Sequence, residues 1–223
     1  MSLLPCVEVN PATPPQHCVI WLHGLGASGH DFEPIVPELR LPDSLAVRFV
    51  FPHAPEIPVT VNGGYVMPAW YDILDMSIDR KIDTAQIEAS SLAVQALIER
   101  EIANGIPAER IVLAGFSQGG AVAYQAALSY PRRLAGLMTL STYFATHDTV
   151  TFDPANADLP IQIYHGDHDP VVPVLLGQKA FELLLAKGYR PAMKTYAMEH
   201  SVCPEQIVDI SHWLQSVLTP AGK

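Results

Sequence analysis

Ser117 is the centre of GFSQGG, residues 115–120, between the apolar run IVLA and the helix-forming run AVAYQAAL. A serine hydroxyl is a poor nucleophile at neutral pH. It attacks a carbonyl only when it is exposed, aimed and deprotonated by a base. The pattern G-x-S-x-G at a strand-to-helix turn meets the first two needs: the glycines leave room for a sharp turn that lifts the serine above a sheet edge. The N-terminus of the next helix then points free N–H groups at the same spot, where they favour a developing oxyanion. The remaining need is an imidazole and a carboxylate to orient it, in the chain order serine, acid, histidine.

The acid comes from YHGDHDPVVP (164–173), which follows an apolar run and offers Asp167 and Asp169. A carboxylate beyond the carboxyl end of a parallel strand lies on the same rim as the serine turn. Asp167 follows Gly166 and could brace the turn. Asp169 precedes a proline that biases its backbone toward extended geometry, so the residues favour it modestly. Nine histidines are present. His17, His30 and His147 read as exposed loop residues, and His212 as part of a helix. His23 and His165 end strands before glycine, where packing beside the backbone is the plainer role. His53 could line the site, and His168 precedes the acid. His200, in MEHSVCPEQ (198–206), lies downstream of the acid, in a loop ahead of a helix. Ser117 and Asp169 are 52 residues apart and Asp169 and His200 31 apart, room for a βα unit in each interval.

These residues need a sheet to hold them. Near-continuous apolar runs at 18–23, 47–52, 110–116 and 160–166 read as strands covered on both faces, with further strands at 134–141 and 192–198. Helical patterns lie between them at 84–105, 118–129, 175–187 and 204–218; Ile87, Leu92, Ala96 and Ile98 help form the apolar face of the first. Strands alternating with helices predict an α/β fold with a mostly parallel, doubly wound sheet. One domain over 1–223 is expected, broken by an irregular stretch at about 52–78, rich in proline and aromatics, that roofs a pocket.

Composition narrows the partners. Apolar residues make up 49% of the 223-residue chain, charged residues 16%, and the formal net charge is -10. That balance argues against nucleic acid and against a basic lipid-docking patch. Three scattered cysteines suggest neither a disulfide framework nor a zinc site, and fit a reducing compartment. No secretory leader or membrane span is read, so the expected location is the cytoplasm. The triplet Gly24, Gly26 and Gly29 mimics a dinucleotide fingerprint. No clean helix follows it before Pro34 and Pro37, and no acidic residue ends the second strand, so that reading is rejected.

Four segments in order, LHGLGASGHDF, the HAP loop with VTVNGGYVMPAWYDI, GFSQGGA and HGDHDPVVP, resemble the bacterial carboxylesterase / acyl-protein thioesterase family of α/β-hydrolases. The resemblance runs from about residue 5 to 217. It implies Ser117 as nucleophile, Asp169 rather than Asp167 as acid, His200 as base, and the backbone N–H groups of Leu25 and Gln118 as oxyanion donors. The stretch Trp70–Met76 matches the family's acyl-groove loop. The substrate groove is therefore expected to include His23, Trp70, Leu74, Met76 and Phe144. STYF (141–144) departs from the family pattern, putting Tyr143 and Phe144 near the rim. The function expected is a serine carboxylesterase acting through an acyl-enzyme on small-molecule acyl esters, without metal or cofactor. A thioesterase or lysophospholipase acting on longer acyl chains is the alternative. A non-catalytic binding module on the same fold is the remote one. The resemblance allows a homodimer.

Overall fold

The computed structural model describes residues 3–75 and 81–219. Seven strands form one sheet: β1 (Cys6–Val9), β2 (His17–Leu22), β3 (Val47–Pro52), β6 (Ile111–Phe116), β7 (Gly136–Leu140), β8 (Ile161–Gly166) and β9 (Ala192–Tyr196), in the order β1-β3-β2-β6-β7-β8-β9. Only β1 runs antiparallel. The chain winds outward from β2 to β3, then returns to the other side of β2 with β6. The carboxyl ends of β2 and β6 therefore flank the switch point, where an open α/β sheet leaves a crevice.

Alternation along the strands feeds two cores. Cys18, Ile20 and Leu22 of β2 face a cluster that includes Ile87, Val94 and Leu97 of α2 (Thr84–Ala103), Ala123 and Ala127 of α3 (Gln118–Leu128) and Leu184 of α4 (Val174–Ala186). Val19 and Trp21 face the other way, toward Ile35 of the short α1 (Ile35–Glu38) and Ile210 and Leu214 of α5 (Pro204–Leu218). Both faces of the central strands are covered, which is why their sequences read as unbroken apolar runs.

Several expectations need correction. The buried face of α2 is Ile87, Ser90, Ser91, Val94, Leu97, Ile98 and Glu101, whereas Leu92 is exposed and Ala96 half-buried. Glu101 is fully buried and pairs with Arg48 at 3.2 Å and Arg100 at 2.7 Å; both arginines also reach Glu8. This charge cluster stitches the edge strand β1, absent from the sequence reading, to β3 and α2. The stretch at 52–78 is less irregular than expected, because it carries an antiparallel hairpin, β4 (Glu56–Val59) with β5 (Tyr65–Pro68). Gly63 and Gly64 take positive φ at its turn. His17 lies buried on β2 with Nδ1 at 2.6 Å from the Leu45 carbonyl, not in an exposed loop.

Candidate active site

β6 hands over to α3 at Ser117, whose backbone is held at φ 53° and ψ -121°. Few residues adopt that conformation unless their surroundings enforce it. Here the Ser117 N–H donates to the Leu140 carbonyl at 2.9 Å, and its own carbonyl accepts from Thr142 Oγ1 at 2.6 Å. The adjacent end of β7 thus grips the turn from both sides. The glycines are required by close approach. A Cβ on Gly115 would lie 2.4 Å from the Gly119 carbonyl oxygen, and one on Gly119 would lie 2.5 Å from that of His23.

The second of those contacts brings the loop after β2 against the serine turn. Gly24 sits where a Cβ would be 3.4 Å from that of Ser117, and Gly26, at φ +73°, donates its N–H to the Pro68 carbonyl at 2.8 Å. Leu25 lies between them. Gln118 is the first residue of α3, whose leading N–H groups have no carbonyl partner within the helix. Leu25 and Gln118 line one pocket together with Ser117.

Burial separates the two aspartates. Asp167 is exposed, while Asp169 is 6% exposed and fully engaged. Its Oδ1 accepts from the N–H groups of Val171 and Val172 at 2.9 and 2.8 Å, and its Oδ2 lies 2.6 Å from His200 Nδ1. With Nδ1 committed to the acid, Nε2 is the His200 atom left to take a proton. The Phe116 ring packs on the imidazole with centroids 4.7 Å apart, so the residue preceding the serine also steadies the histidine. Beneath the acid, fully buried His165 donates from Nε2 to the Val172 carbonyl at 2.7 Å. Burial lowers its pKa, against the opposing pull of the Val172 carbonyl. Thr142, Phe116 and His165 are supports; Thr142 carries no motif of its own, whereas His165 already read as a ring packed beside the backbone.

The expected substrate groove is largely redrawn. The pocket beside Ser117 has a volume of about 260 Å³ and is walled by Leu25, Val61, Ile73, Tyr143, Val171 and Val172 with Tyr71, Asn62 and Gln118. Larger hollows of about 590 and 420 Å³ lie beside α1, away from the serine. His23 does not line the pocket. Its buried ring donates from Nδ1 to the Gly24 carbonyl at 2.7 Å and accepts the Ala54 N–H on Nε2 at 3.1 Å, bracing the loop that carries Leu25. Burial lowers its pKa against the pull of the Gly24 carbonyl, as an accepting nitrogen needs. Trp70 is also a brace: it is 1% exposed, and its indole N–H donates to the His23 carbonyl at 2.8 Å. A buried indole needs such a partner. Ile73 points into the pocket, so its neighbour Leu74 faces solvent instead. Phe144 stacks on Tyr124 in the core at 4.8 Å, leaving Tyr143 as the rim aromatic. Met76 lies outside the described residues.

The side chain of Gln118 has a task separate from its backbone. Its Oε1 accepts the Trp70 N–H at 2.8 Å and its Nε2 donates to the Tyr71 carbonyl at 2.6 Å, clamping the pocket wall to α3. Gln118→Ala strands both groups in a buried setting, and is expected to destabilise the fold by about 1–3 kcal/mol for each. A thermal melt matching the unsubstituted protein would show that the clamp contributes nothing.

The sequence profile of the phospholipase/carboxylesterase family matches residues 5–218. The chain belongs to that family. It is a serine hydrolase of the carboxylic ester hydrolase class. Among its relatives is acyl-protein thioesterase 1 of Gibberella zeae, 40% identical over 213 residues that cover 91% of each chain. Acyl-protein thioesterase 1 of Cryptococcus neoformans is 38% identical, covering 95% of this chain and 97% of that one. Among solved structures, Arabidopsis thaliana SOBER1 superimposes with a TM-score of 0.85 at 31% identity, over 91% of this chain and 99% of that one. Zea mays acyl-protein thioesterase 2 does so with 0.85 at 28%, over 96% and 99%. Among the described residues no helix is long and apolar enough to cross a membrane, and no cluster of His, Cys, Asp or Glu could hold a metal ion.

Proposed function

We propose that the protein hydrolyses acyl thioesters, and the corresponding oxygen esters, through Ser117, His200 and Asp169. The observation that carries the chemistry is the 2.6 Å contact of His200 Nδ1 with the buried Asp169, on the rim where Ser117 is held in a strained turn. His200 Nε2 takes the Ser117 proton as Oγ attacks the acyl carbonyl. The Leu25 and Gln118 N–H groups receive the oxyanion, each contributing about 3–4 kcal/mol to lowering the barrier. The thiol or alcohol departs with the proton from His200. Water, deprotonated by the same imidazole, then releases the acid. Asp169 fixes the tautomer and stabilises the imidazolium without being protonated itself.

The relatives' description as acyl-protein thioesterases supports the thioester over the oxygen ester as the better substrate. A carboxylesterase preferring oxygen esters is the second reading, favoured by the family description. Matched pairs separate the two: kcat/KM is measured for thioesters and esters of the same acyl chain, with leaving groups of similar pKa. A higher value for the thioester at every chain length is the expected result. A consistent preference for the oxygen ester would establish the second reading instead.

A further inference from the structure

The pocket beside Ser117 is bridged by a pair of buried phenols. Tyr71 Oη and Tyr143 Oη lie 2.8 Å apart, the first ring fully buried and the second 8% exposed, and both line the pocket. They come from separate segments of the chain. Tyr71 belongs to the stretch between β5 and α2, whereas Tyr143 follows β7. We propose that the Tyr71–Tyr143 hydrogen bond closes the acyl pocket and sets the longest straight chain the enzyme accepts, confining it to short and medium acyl groups. This rests on the reading of Ser117 as nucleophile given above.

The pocket is the acyl side of the site because His200 is absent from its walls. The leaving group must depart next to the imidazole that protonates it, so the acyl chain takes the opposite flank. Half of the lining residues are aliphatic, Leu25, Val61, Ile73, Val171 and Val172, which suits an alkyl chain. Its volume of about 260 Å³ falls below the range of pockets that enclose drug-sized ligands, roughly 300–1,000 Å³.

The closure is held from behind on both sides. The backbone that carries Tyr71 is fixed, because its carbonyl is bound by Gln118 Nε2 and the preceding Trp70 is bound to both Gln118 and His23. Tyr143 packs with Val172 and Leu176, and Val172 is fixed by Asp169 through its N–H and by His165 through its carbonyl. A chain that reached beyond this point would have to separate hydroxyls that are paired in a buried setting. A chain that stops short keeps the gain from every methylene it buries.

The test is a chain-length series of acyl thioesters and p-nitrophenyl esters, read as kcat/KM for each length. The unsubstituted protein should show a rising arm and then a sharp cut-off. Tyr143→Ala removes the barrier, and Tyr143→Phe keeps the ring but breaks the bond. In both, the cut-off should move to longer chains, each added methylene now admitted being worth about fourfold in kcat/KM relative to the shortest ester. Tyr71→Phe should move it in the same direction as Tyr143→Phe. An unchanged cut-off in either Tyr143 variant would overturn the proposal. Stoichiometric labelling by a fluorophosphonate, measured on the same preparations, reports folding and the nucleophile independently of chain length. Loss of labelling at Ser117 in the unsubstituted protein would instead refute the catalytic reading.

Discussion

Ser117→Ala is expected to lower kcat for an activated acyl ester by roughly 10⁶-fold while leaving the melting temperature nearly unchanged. The two halves of that expectation have separate causes. In the proposed reaction the acyl group passes through a covalent bond to Oγ, and among the described residues no other hydroxyl is held by the same contacts. The turn, by contrast, is held through the backbone: Ser117 N–H to Leu140, Thr142 Oγ1 to the Ser117 carbonyl, and the close approaches at Gly115 and Gly119. Alanine keeps all of these. What remains is the acceleration from the oxyanion donors and substrate binding, on the order of 10³-fold over water. Steady-state kinetics with a thermal melt on the same sample check both halves. A variant retaining more than about a hundredth of the activity would mean that another residue carries the acyl group.

Asp169→Asn is expected to reduce kcat by about 10⁴-fold, again without unfolding the protein. Asn keeps an oxygen for the N–H groups of Val171 and Val172, so the turn that positions the acid survives. The change falls on the atom facing His200, where an acceptor 2.6 Å from Nδ1 becomes an N–H donor. The imidazole must then place its proton on Nε2, the nitrogen needed as base, and the imidazolium loses its compensating charge. Asp167→Asn is the internal control, since Asp167 is exposed and outside these contacts. Kinetics of the two variants side by side distinguish the acids. A larger loss at 167 than at 169 would reverse the assignment.

Most of the frame was legible in the sequence because burial on both faces leaves a plain signal. The runs that became β2, β3, β6 and β8 are largely apolar and buried throughout or nearly so. Helices α2, α3 and α4 match helix-forming runs, whereas the short α1 was not read. The edge strand β1 was missed because it has four residues and its Glu8 serves a charge cluster. The β4–β5 hairpin was missed behind its prolines, although Asn62-Gly63-Gly64 between two β-branched stretches is a turn signal of the expected kind.

The site separates along the same line. Ser117, Asp169 and His200 could be proposed from the sequence because chain order and spacing constrain a nucleophile, its acid and its base, with the family resemblance deciding between Asp167 and Asp169. The pocket walls could not, since an aromatic or aliphatic side chain near a rim packs inward or lines a cavity according to a single step of the chain. Ile73 lines the pocket and Leu74 does not; Tyr143 does and Phe144 does not. The same ambiguity hid the bracing role of Trp70, whose indole N–H reaches a backbone carbonyl distant in sequence.

Covalent labelling tests most directly whether one serine carries the acyl group. The protein is inactivated with a fluorophosphonate and digested with trypsin, and the modified residue is located by fragmentation of the peptide 111–132. The predicted result is one adduct per chain, on Ser117, formed in step with the loss of hydrolysis. An adduct on any other residue, or full inactivation with Ser117 unmodified, would contradict it.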